Sequence, residues 1–487
     1  MLRRLLPVFL SLPVALSSPA CNRTESADAH ESGARLRARP NVVLISVDML
    51  RPDHLGCYGY SRDTSPSMDR LASEGALFEN AVSTTSWTLP AHAALFTGLL
   101  DSVHGCVETT KPLNADHETL AEQLRASGYA TGGFFSGPYL HPVFGLAQGF
   151  TKYVDCTSYP KLNATKAKRT GRVDGFDVWE ASHRDITSPR VQAAASDWLK
   201  QNHERPFFLF VHFWDVHYDF KPPAPYDAKY DPEYKGVFTG DHFLFDQWIT
   251  ARMPQRDLHH LVALYDGEIN WTDLHIGKLL DDLDHLRLSD STLVVLVADH
   301  GTEFFEHGDK SHRKTLFEEV VRIPLIIRFP THIDRDLRLS VPVSITDVLP
   351  TILDLTGLPQ PNQVMGQSLV PLLRGAGGAA DRVIVSELFS GGRKMRAVRR
   401  GNRKLIHDML TGRSYVYNLV SDPGEQHPIF DESDAVFRVS HADFRRAQAW
   451  IQSALEGNPV ASAMQPIPDD VRTKLQSLGY IGGSDDR

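Results

Sequence analysis

The sequence predicts an α/β fold, a doubly wound and mostly parallel sheet, followed by a small antiparallel subdomain at the carboxyl terminus. Short continuous apolar runs recur along the chain, VVLISV, FFLFVHF, TLVVLVA and PLIIRF, each closed by polar residues. Strands buried on both faces of a parallel sheet read this way, whereas half-exposed strands alternate. Amphipathic stretches such as HETLAEQLRASG and RVQAAASDWLKQN lie between the runs. That alternation of strand and helix is the pattern of a parallel sheet covered on both faces. After Leu373 the segment RGAGGAAD is rich in Gly and Ala, and the pieces beyond it are shorter and separated by turns.

The amino terminus carries Arg3 and Arg4, an apolar run from Leu5 to Leu16, and then SSPA, which together read as an export signal over residues 1–20. Cys21 directly follows Ala20, the placement of a lipoprotein cysteine, but Ser18 stands where such sites usually have Leu, so lipidation at Cys21, which would supply a membrane tether, is left open. Residues 21–40 are polar and aperiodic, as a solvated tether is, and folded structure is expected to begin at Asn41. The main domain is placed at residues 41–373. Its longest helix is expected from about Leu258 to Leu286, because Tyr265, Ile269, Thr272, Ile276, Leu279 and Leu283 return every three or four positions and leave one stripe for the sheet. Residues 374–487 form the second region, where VIVSEL, MRAVRR, KLIHDM and SYVYNLV read as a small antiparallel sheet and ADFRRAQAWIQSALEG as a closing helix.

Composition narrows the function. Of 487 residues, 42% are hydrophobic and 23% charged, an ordinary folded composition. A formal net charge of −9 and a pI near 6.2 argue against a nucleic-acid binder, whose phosphate contacts need a basic surface. The four cysteines, Cys21, Cys57, Cys106 and Cys156, have no zinc-knuckle or CxxC spacing.

The chemistry-bearing residues stand at strand ends. VVLISV runs into Asp48, TLVVLVA into Asp299 and His300, and FFLFVHF into Asp215 and His217. Open parallel sheets bind ligands at the carboxyl ends of their strands, so separate strands can aim carboxylates and imidazoles into one crevice. For a single acid of this kind, capping of the following helix is the competing role. In SWTLPAHAALFTG, Pro90 suits the first turn of a helix and puts the Thr88 hydroxyl at a helix amino terminus, where the dipole favours an anion. Threonine becomes a usable nucleophile when a divalent cation makes its alkoxide accessible; the alternative role for Thr88 is an ordinary helix cap.

NVVLISVDMLRPDHLGCYGY, SWTLPAHAALFTG, ADHGTEFFEHG and FEEVVRIPLIIRFP occur in the order and approximate spacing of the sulfatase family, within the alkaline phosphatase superfamily. The resemblance covers Asn41 to Leu373, and SYVYNLVSDPGEQHP resembles the family's carboxyl-terminal subdomain. It implies a catalytic domain over 41–373 that cleaves sulfate or phosphate esters of small molecules or glycans through a covalent intermediate. Asp48 matches the family's first metal aspartate, Thr88 the nucleophile and metal ligand, and Asp299 with His300 the pair that completes the metal shell. His217 matches a substrate-binding histidine. His312 matches a histidine of related sequences, and Arg313 falls where arylsulfatases tend to have Lys; both are expected to bind the transferred group.

Departures accompany the matches. Thr88, Pro90 and His92 stand where family members carry CxPxR or SxPxR, and threonine is not converted to formylglycine. Met49 replaces a second aspartate, and FFSGPY replaces a GKWH-like segment. The metal set resembles that of phosphoethanolamine transferases, lipoteichoic acid synthases and nucleotide phosphodiesterases, which use an unmodified threonine. Two alternatives follow, a transferase of phosphoethanolamine type acting in the cell envelope and a binding protein that kept the fold without the chemistry. With an imidazole in the shell the cation is expected to be Ca, Mn or Zn. The sequence leaves open whether one ion binds or two, the second at Asp215, His217 and His312.

Overall fold

The computed structural model describes residues 39–157, 172–173, 176–177, 185–375, 381–457, 467–469, 471–472 and 475. The expectations for the export signal, Cys21 and the tether lie outside the described residues.

Five apolar segments build the centre of the main sheet: β1 (Asn41–Val47), β2 (Ala76–Val82), β3 (Ala130–Phe135), β5 (Phe207–Phe213) and β6 (Thr292–Ala298), the last two following a short edge strand β4 (Lys152–Asp155) in the chain. β7 (Arg322–Arg328), β8 (Leu337–Leu339) and β9 (Val343–Ser344) complete it. Their spatial order is β8-β2-β7-β6-β1-β5-β3-β4, with β9 pairing with β2. β1 pairs in parallel with both β5 and β6, so Asp48 leaves the sheet between the two strands that end nearest the other candidate residues. β7 runs antiparallel to both β2 and β6. Its apolar run PLIIRF shows that it is buried and says nothing of its direction, because burial on two faces leaves the same pattern in either orientation.

Helices cover both faces. Side chains paired across parallel strands share a face and successive ones alternate. Ser46, His212 and Phe135 therefore share one face, and Val43, Leu209 and Gly132 share the other. On the second face lies α4 (Ser188–Asn202), whose Trp198 fills the space that a Cβ on Gly132 would need, with its ring as near as 2.7 Å to that position. α4 packs against α5 (Gln255–His285), and α1 (Pro66–Ser73) packs against α5 in turn. The predicted stripe is the buried face of α5, with Tyr265, Ile269, Thr272, Ile276, Leu279 and Leu283 all at most 1% exposed. The Ser46 face carries α2 (Thr88–Thr97), which packs with α3 (Leu120–Ala126) and α6 (Val348–Leu355). α3 opens on a capping box in which Thr119 and Glu122 each satisfy the other's backbone amide.

The carboxyl-terminal region forms a four-stranded antiparallel sheet in sequential order, β10 (Ile384–Ser390), β11 (Arg393–Arg400), β12 (Arg403–Asp408) and β13 (Ser414–Asn418). Its closing helix α7 spans Ala435–Gly457 and begins seven residues before the expected Ala442. Asp434 accounts for the earlier start, since its side chain accepts from the amides of Val436 and Phe437. Val385, Val398, Leu405, Val416, Phe444 and Ile451 pack with Leu99, Leu100 and Val103, which follow α2 in the chain.

Candidate metal and catalytic site

Three strand ends converge on one buried pocket. Asp48 follows β1, and its amide donates to the Phe213 carbonyl at 2.9 Å, which fixes the turn to the end of β5. Met49 then adopts a left-handed conformation (φ 53°), and Tyr265 of α5 grips the turn by donating to the Met49 carbonyl at 2.8 Å and accepting from the Arg51 amide at 3.0 Å. Met49 is fully buried, and its amide reaches Asp299 Oδ1 at 3.3 Å; the backbone here gives a donor to the acid that follows β6. Gly301 closes the other side. A Cβ there would sit 2.2 Å from the Glu319 carbonyl, so only glycine lets the chain turn under His300.

Asp48, Asp299 and His300 each offer a ligand atom, and these atoms lie within 4.8 Å of one another. The His300 Nδ1–H donates to the Gly301 carbonyl at 2.9 Å, which leaves the Nε2 lone pair facing Asp48 Oδ1 at 3.6 Å and Asp299 Oδ2 at 3.5 Å. A second hydrogen bond that fixes the tautomer in this way is the usual support of a metal-binding imidazole. Asp48 Oδ1 and Asp299 Oδ2 are buried without a hydrogen-bond partner. Burial pushes the Asp48 carboxyl up to about 6, and burial together with the neighbouring Asp48 charge raises Asp299. Two desolvated carboxylates with orphaned oxygens are costly alone, and a divalent cation would relieve both, so the residues fit a metal ion.

Thr88 stands beside them. Trp87, extended at φ −161° and ψ 155°, is the residue that flanks α2, and Thr88 is the first helical residue. Its hydroxyl lies 3.4 Å from Asp48 Oδ2 and 3.3 Å from His300 Nε2. Below it, the Nδ1–H of His92 donates to the Thr88 carbonyl at 2.9 Å, and the Ser46 hydroxyl lies 2.9 Å from His92 Nε2. Burial lowers His92 to about 3, so the ring is neutral where family members carry a fixed positive charge.

The remaining predicted residues take two different places. His312 is buried, with its ring 4.6 Å from that of His300 and 5.3 Å from that of His217. The His217 Nδ1–H donates to the Tyr218 carbonyl at 2.8 Å, and its ring stacks on Trp214. Arg313 lies over the Trp87 ring at 4.5 Å and donates to the Tyr139 hydroxyl at 2.9 Å and to Ser390 Oγ at 3.1 Å. It thus reaches the turn before Thr88, and Tyr139, the end of the divergent FFSGPY segment, is its partner.

Asp215 has the other role open to a strand-end acid, that of a helix cap. Its Oδ1 accepts from the amide and hydroxyl of Thr187, and its Oδ2 accepts from the Ser188 amide at 2.7 Å. Both oxygens are spent on the amino terminus of α4, and a second cluster with His217 and His312 does not form among the described residues. His212 was missed. It lies inside β5 rather than at its end, is fully buried, and has its Nε2 3.6 Å from Asp48 Oδ2. A histidine within FFLFVHF, otherwise wholly apolar, is the signal that points to it.

The family model described as "Sulfatase" matches residues 40–358 of this chain, about two-thirds of its length. The chain belongs to the sulfatase family. As a member it is an ester hydrolase of the alkaline phosphatase superfamily, with a buried Asp, Asp and His pocket suited to a metal ion. A second model, "N-sulphoglucosamine sulphohydrolase, C-terminal", matches residues 306–442. Among curated relatives, the ulvan-active sulfatase of Formosa agariphila is 25% identical over 420 residues, covering 81% of this chain and 78% of the relative. The multifunctional alkaline phosphatase superfamily protein PehA of Trinickia caryophylli is 28% identical over 407 residues, covering 69% and 77%. The phosphonate monoester hydrolase of Agrobacterium radiobacter shares the fold at a TM-score of 0.70 and 22% identity, over 87% of this chain and 100% of that one. Among the described residues no helix is long and apolar enough to cross a membrane.

Proposed function

We propose that this sulfatase-family chain is a metal-dependent hydrolase that cleaves sulfate or phosphate esters with unmodified Thr88 as nucleophile. The observation that carries this reading is the Thr88 hydroxyl, 3.4 Å from Asp48 and 3.3 Å from His300 beside two orphaned carboxylate oxygens. Asp48, Asp299, His300 and Thr88 would hold the cation, whose charge makes a neighbouring hydroxyl more acidic and shields the anion under attack. With one imidazole among hard oxygens, Mn and Zn suit the shell at least as well as Ca.

In the proposed reaction Thr88 Oγ attacks sulfur or phosphorus, the bond to the leaving alcohol breaks, and the group is carried on Thr88 until water displaces it. His217 and His312 contact the oxygens of the transferred group, and Arg313 adds positive charge beside Trp87 at the turn into α2. Similarity to a sulfatase named for ulvan and to a phosphonate ester hydrolase supports a small-molecule or glycan ester as substrate and leaves both sulfur and phosphorus within reach. The expected site of action is outside the cytoplasm, on the reading of residues 1–20 as an export signal, with Cys21 as the tether.

The test is a panel of aryl sulfate, phosphate monoester, phosphate diester and phosphonate ester, each supplied with Ca, Mn or Zn separately. Turnover of at least one class, with the quenched adduct located on the peptide that contains SWTLPAHAALF, is the expected result. An active enzyme labelled elsewhere, or a metal-loaded protein inert on all four, overturns it.

A further inference from the structure

His212 is a buried polar group without an evident structural duty. It is 0% exposed, and neither ring nitrogen has a hydrogen-bond partner. Orphaned polar atoms cost stability in a dry core, and a leucine would fill a sheet interior without that cost. The ring is held edge-on against His92 with centroids 4.8 Å apart, and its strand is locked to β1 by the pairing of Ser46 with His212. In that setting Nε2 faces Asp48 Oδ2 at 3.6 Å.

The two oxygens of Asp48 then have separate surroundings. Oδ2 lies between the Thr88 hydroxyl at 3.4 Å and His212 Nε2, whereas Oδ1 has no hydrogen-bond partner and faces His300 Nε2. Resting on the reading of Asp48 as a metal ligand, we propose that His212 is a positioning residue whose Nε2–H donates to Asp48 Oδ2 and turns Oδ1 into the cation pocket. His212 is not a ligand itself: the group of ligand atoms within 4.8 Å of one another comprises Asp48, Asp299 and His300 without it. A carboxylate free to rotate about its last bond must be ordered when the ion binds, and a fixed donor on the outer oxygen removes that cost. Support of this kind is typically worth about 10- to 100-fold in metal affinity.

The test compares wild type, His212→Leu and His212→Gln by direct titration with Mn and Zn, using the full chain. Leucine keeps the bulk and loses the donor, whereas a glutamine amide reaches the place of Nε2 and restores it. His212→Leu should bind the cation about 10- to 100-fold more weakly while its metal-free melting temperature stays level or rises, and His212→Gln should recover most of the affinity. Equal affinity in all three overturns the inference alone. A wild type that binds neither ion overturns the metal reading as well. Equal loss in Leu and Gln variants, with a cobalt spectrum that shows one nitrogen ligand fewer, makes His212 a ligand and also overturns it. If His212→Leu does not fold, nitrogen NMR of histidine-labelled wild type, assigned with His212→Gln, decides: a protonated Nε2 in the metal-loaded protein supports positioning, and an unprotonated Nε2 refutes it.

Discussion

Thr88 has no backbone duty that explains its hydroxyl. Trp87 occupies the flanking position of α2, and Thr88 Oγ1 turns toward Asp48 and His300 instead of the helix amides. Thr88→Val should therefore cut kcat/KM by at least about 10³-fold while changing stability by no more than about 1 kcal/mol, and Thr88→Ser should keep part of the rate. Kinetics and chemical denaturation on the same preparations check this, and a stability loss with retained turnover would make Thr88 a cap. The neighbouring acids were legible because each follows a dry strand, where an unpaired charge needs a reason. Asp215 follows the same kind of strand and has a different reason. Only the partners of a carboxylate separate a helix cap from a metal ligand, and partners come from segments far apart in sequence. His212 escaped notice for the opposite cause, since side chains inside an apolar strand are read as core.

The elements themselves follow from periodicity and capping. The stripe of α5 was readable from its period, and the dry runs of β1, β5 and β6 from their short length and their β-branched and aromatic residues. The direction of β7 was not readable, and neither was the start of α7, which depends on the carboxylate of Asp434. The turn after β5 shows how an element end and the site share residues: Asp215 holds the first amides of α4, and His217 two residues later faces His312. Asp215→Ala should cost about 0.5–2 kcal/mol in urea denaturation, the usual range for a lost cap, and leave the bound metal at full occupancy. Asp48→Ala should instead lower the metal content, since it removes one of the three close ligand atoms. A fall in metal on replacing Asp215 would return that residue to the cation.

At the scale of the whole molecule, the antiparallel sheet braces the segment that delivers Thr88. The Ser386 hydroxyl donates to the Ser83 carbonyl, and the Glu387 amide to the Thr84 carbonyl, both at 2.6 Å, so β10 runs beside the loop into α2. The Glu387 side chain is fully buried, accepts from Arg396 at 2.9 and 2.7 Å, and accepts from the Ser102 amide beyond the far end of α2. This acid thus ties β11 to the segments on both sides of α2. The sequence showed a small sheet and could not show what it leans on, because the joint is made of hydrogen bonds between segments far apart in the chain. Removing one partner of such a pair strands the other charge, so Glu387→Ala should destabilise the protein by about 3–5 kcal/mol. Glu387→Ala with Arg396→Ala should recover part of that loss, because no charge is then left unpaired, and the coupling is read from a double-mutant cycle in urea. Metal affinity of the folded fraction should stay unchanged in all three variants, since Glu387 holds the loop by its backbone and touches none of Asp48, Asp299 and His300. Additive losses in the cycle would show that Glu387 and Arg396 do not stabilise each other across β10 and β11.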